Sequence, residues 1–377
     1  MKRIITYLLI SFFVLLTTGC GGIQTAELSD RLIMEAIGID AENGKISVTI
    51  QALDIGADGS GKGSSANEET KIYNFTDTST GRAFAHIKYE TGLTPLYSHA
   101  RILVIGEEAA KTNLGEILDF FLREYTARSD ILIAAAAGQA ADIVSADITD
   151  GQADAAVIEK ILRNGHERGE NILMPLYKFV NLLLTESDTA MCPLLSLSAS
   201  ENKDKKNVTV SGTAFFDSQK RIRTEDIEIT EGILLLNGDA GSLSFSIDSE
   251  GKKCTLNTVK CSTKIKPSVK DGKAFFYIKT TVLCDLTEYV SDITEAVEIQ
   301  DTKNAEKQLE EIIGDKEKRV LEIIFHESGM DICRFGRRIL LRYPEFYKKY
   351  ILNMSELTDY DLTVEATIRR TGRETIR

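Results

Sequence analysis

A glycine-rich stretch, Gly56–Gly63, has the residue spacing that comes nearest to a known chemical site in this chain. It follows a predicted strand and nearly matches a phosphate-binding loop, whose backbone N–H groups hold a nucleotide. However, Gly63 replaces the Ser or Thr that must bind magnesium, and Ser64–Lys71 lacks the apolar periodicity of the helix that must follow. We therefore interpret the stretch as a solvated loop and expect no nucleotide or other cofactor.

Side chains that could act as catalysts or metal ligands are scattered. Histidine occurs four times, at His86, His99, His166 and His326. We interpret His86 and His99 as capping or core residues, since one lies in a predicted helix and the other begins a predicted strand. Neighbouring carboxylates such as Glu107 and Glu108 point apart and so do not form an acid/base pair. No G-x-S-x-G, H-E-x-x-H or C-x-x-C motif occurs. The sequence therefore predicts a protein that is not an enzyme.

Of the six cysteines, Cys20 is the one whose sequence context predicts a specific covalent modification. It ends a segment in which Lys2 and Arg3 precede an apolar run, Ile4–Leu16. This run is shorter than the about 20 apolar residues that cross a bilayer. The layout is typical of a bacterial lipoprotein signal, in which the cysteine thiol is diacylated and becomes the new N-terminus. An ordinary secretory signal and a membrane-anchoring helix are the alternatives.

On the lipoprotein interpretation, residues 1–19 are a signal peptide and residues 20–26 a lipidated tether. Two acyl chains on Cys20 then hold the folded part at a membrane without a spanning helix. The other five cysteines follow no disulfide or zinc-site pattern, and we interpret them as single thiols that are buried or partly buried. They are Cys192, Cys254, Cys261, Cys284 and Cys333. A disulfide between Cys254 and Cys261 is the alternative.

Composition sets further limits on function. The 377 residues are 43% hydrophobic and 27% charged, which is typical of a globular protein with more than one domain. No second apolar segment is long enough to cross a membrane, so a channel or transporter acting alone is excluded. The formal net charge is −12, and the loss of Lys2 and Arg3 would leave −14. Such an acidic chain is a poor ligand for nucleic acid, whose binding requires positive charge.

Apolar periodicity predicts an α+β domain over residues 27–200. Helices are expected at Glu27–Ile37, Ser79–Glu90, Leu114–Tyr125, Ala140–Val144, Asp154–Asn164 and Pro175–Leu184. Turns are expected at Gly38–Asp40 and Asn43–Gly44, and strands at Ile46–Ala52, Tyr73–Phe75, Ser98–Ile105 and Asp130–Ala137. In the strand from Ile46, the alternation of apolar and polar residues predicts one face in contact with water.

The polar run Glu201–Asn207 is the predicted domain boundary. A C-terminal α+β domain, residues 207–377, would follow, with a division into 207–256 and 257–377 if there are three domains. Its predicted strands are Val208–Phe216, Ile233–Leu236, Leu243–Ile247, Val259–Ile265, Phe275–Leu286 and Leu362–Ile368. Its predicted helices are Thr302–His326 and Asp331–Tyr343, which ends before Pro344. The expected fold class is α+β, with antiparallel-rich sheets and helices packed on them.

Basic residues are concentrated between Asp331 and Tyr350 of this otherwise acidic chain. Helical spacing would place Arg334, Arg338 and Arg342 on one face. A solvated face is one explanation, and a docking surface for an acidic partner or for lipid headgroups is the other. The candidate surface residues are Arg334, Arg337, Arg338, Arg342, Tyr347 and Lys348.

The same segment, DICRFGRRILLRYPEFYKKY, resembles the D-I-F-G-F-G…R-x-Y-P…W-K signature of the Ger(x)C family, the lipoprotein C subunits of spore nutrient-germinant receptors. In this chain Cys333-Arg334 replaces Phe-Gly, Tyr347 replaces Trp, and Gly21-Gly22 replaces the Trp-Asp that usually follows the lipidated cysteine. Further motifs appear in the family's order. They are Glu27-Leu28, Gly38–Asp40, Ser98–Glu108, Leu118–Arg123, Gly212–Phe216, Thr230–Ile233, Thr263–Pro267 and Ile368–Gly372.

The resemblance implies a non-catalytic subunit of a membrane complex, with a mixed α/β fold of three domains. It implies lipid anchoring through Cys20 to the outer face of the inner spore membrane. Its implied partners are an A subunit with a membrane domain and a transporter-like B subunit, both integral membrane proteins. A lipid-anchored solute-binding protein is the alternative function. That function would require two α/β lobes around a cleft, whereas the second half of this chain is rich in predicted antiparallel strands.

Overall fold

The computed structural model describes residues 30–53, 70–124, 126–148, 154–185, 188–199, 206–217, 222–249, 252–290, 299–371 and 374–375. Its first strands are β1 (Arg31–Glu42), β2 (Lys45–Leu53), β3 (Thr70–Asp77), β4 (Thr94–Leu96), β5 (Ile102–Ile105), β6 (Leu132–Ala136), β7 (Ala190–Ala199), β8 (Lys206–Phe216) and β9 (Ile222–Asp226). The later strands are β10 (Ser244–Ser249), β11 (Lys252–Lys270), β12 (Lys273–Val290), β13 (Thr358–Thr371) and β14 (Glu374–Thr375).

The helices in the first part are α1 (Thr80–Thr91), α2 (Glu107–Thr112), α3 (Leu114–Arg123), α4 (Ala140–Val144), α5 (Asp154–Glu167) and α6 (Leu176–Leu183). Those in the second part are α7 (Ile227–Asn237), α8 (Ile299–Glu322), α9 (Phe335–Arg342), α10 (Pro344–Leu352) and α11 (Met354–Leu357). A 3₁₀ turn covers Tyr97–His99, and a π-helical turn, Ile323–Ser328, extends α8.

Two mixed sheets organise these elements. The first has the order β3-β2-β1-β5-β6-β7-β8-β9, with the short β4 also paired to β1. Its centre is parallel, from β1 through β5 and β6 to β7, and its two ends are antiparallel. The second has the order β10-β11-β12-β13-β14 and is antiparallel except between β12 and β13. The predicted α+β class with antiparallel-rich sheets is confirmed.

The first strand corrects two predictions. The expected helix over Glu27–Ile37 and the expected turn at Gly38–Asp40 are wrong from Arg31 onward, because both ranges lie in β1. This strand pairs with β2 on one side and with β5 on the other, and Ile37 and Ile39 are fully buried. A strand buried on both faces is apolar at nearly every position, so its sequence lacks the alternation that identifies a strand.

The end of β1 also positions a distant helix. Asp40 accepts the backbone N–H groups of Ala140 at 2.7 Å and of Ala141 at 2.9 Å. These bonds satisfy the first turn of α4. Burial raises the pKa of the Asp40 carboxyl. Gly106 has no room for a side chain, because its Cβ would lie 1.9 Å from the Asp40 carboxylate. The motif Gly38–Asp40 is therefore a tertiary contact rather than a turn.

The predicted wet face of β2 is also wrong. The strand itself is confirmed, but Thr49 and Gln51 are buried. The Gln51 side chain donates to the carbonyl of Val144 at 3.4 Å and accepts the N–H of Ala155 at 2.9 Å. Helices α4 and α5 thus cover the polar face of the strand, and its amide is satisfied inside the protein.

The strand predicted at Ile233–Leu236 is also wrong, because these residues lie in helix α7. Asp226 caps this helix by accepting the N–H of Ile229 at 3.0 Å, and Gly238 ends it in the left-handed region. Its four consecutive apolar residues are all buried. A run of four consecutive apolar residues has no period that distinguishes a helix from a strand.

Amphipathic elements agree with the predictions. Ser79 caps α1 by accepting the N–H of Arg82, and Asn43 and Gly44 form the β1–β2 turn with φ angles of 51° and 74°. Helices α3, α4, α5, α6 and α8, and strands β3, β5, β6, β8, β10, β11, β12 and β13, lie at or within a few residues of their expected positions.

The expected domain boundary at Glu201–Asn207 falls between β7 and β8, which pair as an antiparallel hairpin within the first sheet. This sheet therefore extends to β9 at Asp226. One apolar core runs from Leu32 to Ile368 and contacts both sheets, whereas a smaller core lies beneath α4 and α5. The division into domains stays a prediction.

Candidate interaction site at the Asp331–Tyr350 segment

Asp331 determines where α9 begins. Its buried carboxylate accepts the N–H of Phe335 at 2.7 Å and the N–H of Gly336 at 2.6 Å. These bonds satisfy two of the free N–H groups at the start of the helix. Burial raises the pKa of Asp331 to about 7, more than the two backbone donors lower it. The helix expected from Asp331 therefore begins only at Phe335.

Arg338 is directed back toward its own chain. Its Nη1 donates to the carbonyl of Cys333 at 2.5 Å and to that of Arg334 at 2.9 Å, and its guanidinium lies 5.9 Å from the centre of the Phe335 ring. Burial lowers the pKa of Arg338. The guanidinium thus closes the turn that precedes α9 instead of standing free in solvent.

Two arginines of this segment approach a carboxylate from the first part of the chain. Asp188, just before β7, has a side chain that is 1% exposed, and its Oδ2 lies 3.7 Å from Nη1 of Arg337 and 4.0 Å from Nε of Arg334. A buried carboxylate is stabilised by nearby positive charge. These contacts connect the first sheet to α9.

An aromatic cluster fixes the rest of the segment on β12. The rings of Phe276 and Phe335 are 4.8 Å apart, and those of Phe325 and Phe335 are 4.9 Å apart. Tyr350 is fully buried beside Phe276 and accepts a hydrogen bond from Thr358 Oγ1 at 3.1 Å. Edge-to-face packing of this kind stabilises α9 and α10 against the sheet.

The six residues predicted to form a surface therefore differ in exposure. Arg337, Arg342 and Lys348 are exposed, whereas Arg334, Arg338 and Tyr347 are half-buried. Leu341 and Leu352, which are 78% and 81% exposed, lie on the same two helices. Neither the two leucines nor Asp188 were among the predicted surface residues. The segment was identified only by its excess of basic residues in an acidic chain, which gives no information on apolar contacts or distant carboxylates.

The described residues offer little for redox or metal chemistry. Within them, no three His, Cys, Asp or Glu side chains are placed to hold a metal ion together. None of the five described cysteines forms a disulfide with another, and all are buried except Cys261, which is half-buried. Burial raises the pKa of the Cys261 thiol to about 11. Cys20 and Gly56–Gly63 lie outside the described residues.

Two of the histidine assignments are corrected. His86 is neither a cap nor a core residue, because its Nε2 lies 2.9 Å from Asp77 and its Nδ1 3.0 Å from Glu90 at the surface. These carboxylates raise the pKa of His86. His99 is exposed in the 3₁₀ turn.

In the part of the chain that the structure covers, no helix has the length and apolar composition needed to span a membrane.

Comparison with known families gives two consecutive matches. Residues 24–197 match the N-terminal domain of a spore germination protein, and residues 211–372 match the C-terminal domain described as spore germination B3/GerAC-like. Together the two domains cover nearly all of the described chain. They confirm the resemblance inferred from the ordered motifs.

Individual proteins agree with these matches. Spore germination protein YndF of Bacillus subtilis is 25% identical over 91% of this chain and 87% of its own length. Spore germination protein B3 of the same organism is 23% identical over 74% of this chain and 75% of its own length. The crystal structure of the GerBC protein superposes with a TM-score of 0.58 at 19% identity, covering 88% of this chain and 96% of that one. At this identity, the structural similarity shows a shared fold.

Proposed function

Because the chain belongs to the GerAC family of spore germination proteins, we propose that it is a non-catalytic, membrane-anchored lipoprotein subunit of a nutrient-germinant receptor. Its partners would be the integral-membrane A and B subunits of that receptor. The observation that supports this role most strongly is the match to both family domains along residues 24–372. The subunit would be required for the response of spores to a nutrient.

The proposed anchor is a diacylated and palmitoylated Cys20 on the outer face of the inner spore membrane. Its support is the order of charged, apolar and small residues before the cysteine. Two acyl chains make a stable anchor, whereas one alone binds a membrane only reversibly. Strand β1 begins at Arg31, so few residues of the sequence separate Cys20 from the first sheet.

The exposed part of the Asp331–Tyr350 segment is the proposed contact with the partner subunits. Arg337, Arg342 and Lys348 supply positive charge there, and Leu341 supplies apolar area. Interfaces commonly combine a desolvated apolar centre with a charged rim. The conformation of this surface would be maintained by the half-buried side chains of Arg334, Arg338 and Tyr347.

Comparing Cys20→Ala with Cys261→Ala tests the anchor in sporulating cells. We expect the wild-type chain and Cys261→Ala to incorporate labelled palmitate and to sediment with membranes that also contain the A and B subunits. Cys20→Ala should do neither, because the acylated thiol is lost. Equal labelling of the two variants would contradict the proposal, and so would release of neither from the membranes.

A further inference from the structure

A cleft with a volume of about 390 Å³ lies where the first sheet, α7 and the turn before α9 meet. Its wall comes from both parts of the chain. His166, Lys178 and Met191 belong to the first part, and Leu234, Cys333 and Arg338 to the second. Clefts of about 300–1,000 Å³ at the junction of structural units are common places for small ligands.

Positive charge predominates in the wall of this cleft. Lys178, Arg334 and Arg338 line it, and Asp239 is the carboxylate that opposes them. Among the described residues, neither Lys178 nor Arg338 forms an ion pair with a carboxylate. The nearest carboxylate oxygen to Arg334 Nε, on Asp188, lies 4.0 Å away. This concentration of cations stands out in a chain with a net charge of −12.

The guanidinium of Arg338 is preorganised for binding an anion. The carbonyl groups of Cys333 and Arg334 and the ring of Phe335 fix its guanidinium before any ligand arrives. Burial lowers its pKa, because the loss of water around the guanidinium disfavours the charged form. A ligand anion would stabilise the charged form further, and the fixed side chain would lose little conformational freedom on binding.

Apolar side chains also line the cleft. Leu182, Met191 and Leu234 line it together with Ile332 and Cys333. An inorganic anion would leave this area in contact with water. A ligand that carries an anionic group and an aliphatic part would match both the cationic and the apolar side chains of the wall, since burial of its aliphatic part adds the hydrophobic contribution.

We propose that this cleft binds a small organic anion. Its charged group contacts Lys178 and Arg338, and its aliphatic part packs on Leu182, Met191 and Leu234. The site is distinct from the exposed surface of α9 and α10. It does not depend on the receptor role, because binding is measured on the isolated chain.

Methionine methyl NMR can locate such binding. Met174 and Met191 line the cleft, whereas Met34 and Met354 do not. The probe is 3-methylbutanoate, and 3-methylbutanol is its uncharged counterpart. In the mature chain with Cys20→Ala, we expect 3-methylbutanoate to shift the methyl signals of Met174 and Met191 saturably and to leave Met34 and Met354 in place. The alcohol should produce no saturable shift.

Matched variants complete the test. Lys178→Ala removes an exposed cation from the cleft and should weaken binding of 3-methylbutanoate about fivefold, the size of one partly exposed ion pair. Lys88→Ala, an equally exposed substitution on α1, should leave the affinity unchanged. The proposal is overturned if neither cleft methionine shifts, if the alcohol binds as well as the acid, or if both variants bind with equal affinity.

Discussion

At the scale of single residues, Arg334 is the position where local conformation and side chain conflict most clearly. Its φ angle is 60°, in the left-handed region that favours glycine. The family signature that this segment resembles has Gly at the corresponding place. The conformation places the backbone so that Asp331 can cap α9 and Arg338 can bond to the Arg334 carbonyl.

We expect Arg334→Gly to stabilise the fold. Relief of the left-handed conformation should raise the free energy of unfolding by about 0.5–1 kcal/mol, because Gly adopts positive φ without steric cost. Arg337→Gly is the matched control, and it should lower the free energy of unfolding by about 1 kcal/mol because it lies inside α9. Urea unfolding measures both. Equal destabilisation by the two variants would refute this account of Arg334.

Glu317 is a second residue in an unfavourable environment, because its carboxyl group is buried away from water. It is fully buried on α8, and its Oε1 accepts a hydrogen bond from Thr280 at 2.6 Å. Its Oε2 has no hydrogen-bond partner among the described residues. Burial raises the pKa of Glu317 from 4.5 to about 7. The native state therefore holds this carboxyl in its neutral form more firmly than the unfolded chain does.

The raised pKa gives a pH-dependent stability with a definite sign. The contribution of Glu317 is complete below pH 4.5 and is lost as the pH rises to about 7, because ionisation is less costly in the unfolded chain. At about 1.4 kcal/mol per pKa unit, the loss is about 3 kcal/mol. Glu317→Gln should remove only the Glu317 share of the pH dependence and leave that of Asp331, whose pKa is also raised to about 7. Glu311→Gln, at an exposed position of α8, should keep both shares. Unfolding free energies that change with pH identically in both variants would contradict the assignment.

At the scale of elements, the contact between α7 and α8 depends on a glycine. A Cβ on Gly232 would lie 2.7 Å from the Val320 side chain and 2.9 Å from the carbonyl of Lys316. The helices can approach this closely only because Gly232 has no side chain. This explains why Gly stands in the motif Thr230–Ile233, which the sequence analysis noted without a structural reason.

Gly232→Ala should therefore lower the free energy of unfolding by about 1–3 kcal/mol, the usual cost of overpacking. Gly115→Ala is a matched control on α3, where nothing lies within 4 Å of the added methyl group. It should be stabilising by about 0.5–1 kcal/mol, because Ala loses less backbone entropy in a helix. Thermal unfolding of both variants decides the matter. If Gly232→Ala left the free energy of unfolding unchanged, the two helices could move apart without cost, and the close contact would not depend on glycine.

Elements with one wet face could be predicted from the sequence, whereas the buried apolar runs of β1 and α7 could not. Helix α5 and strand β13 keep a polar face, so their apolar residues recur at the helical and strand periods. Most of strand β1 and the Ile233–Leu236 run of helix α7 are buried, and each was assigned to the other class. Their identity is decided by strand partners and helix contacts that a local window does not contain.

At the scale of the whole molecule, one apolar core and the Asp188 contacts join the two parts of the chain. The sequence located the basic segment through its charge contrast. It could not locate Asp188 or the cleft, because both require the first sheet and α9 to be brought together. The second sheet is antiparallel except between β12 and β13, which differs from the second α/β lobe that a solute-binding protein would require.

Germination of spores that lack this gene tests the central claim most directly. The measurement is the fall in optical density after addition of each nutrient that germinates wild-type spores. We predict that the deletion abolishes the response to at least one nutrient, and that the wild-type chain restores it whereas Cys20→Ala does not. Unchanged germination with every nutrient would contradict the account.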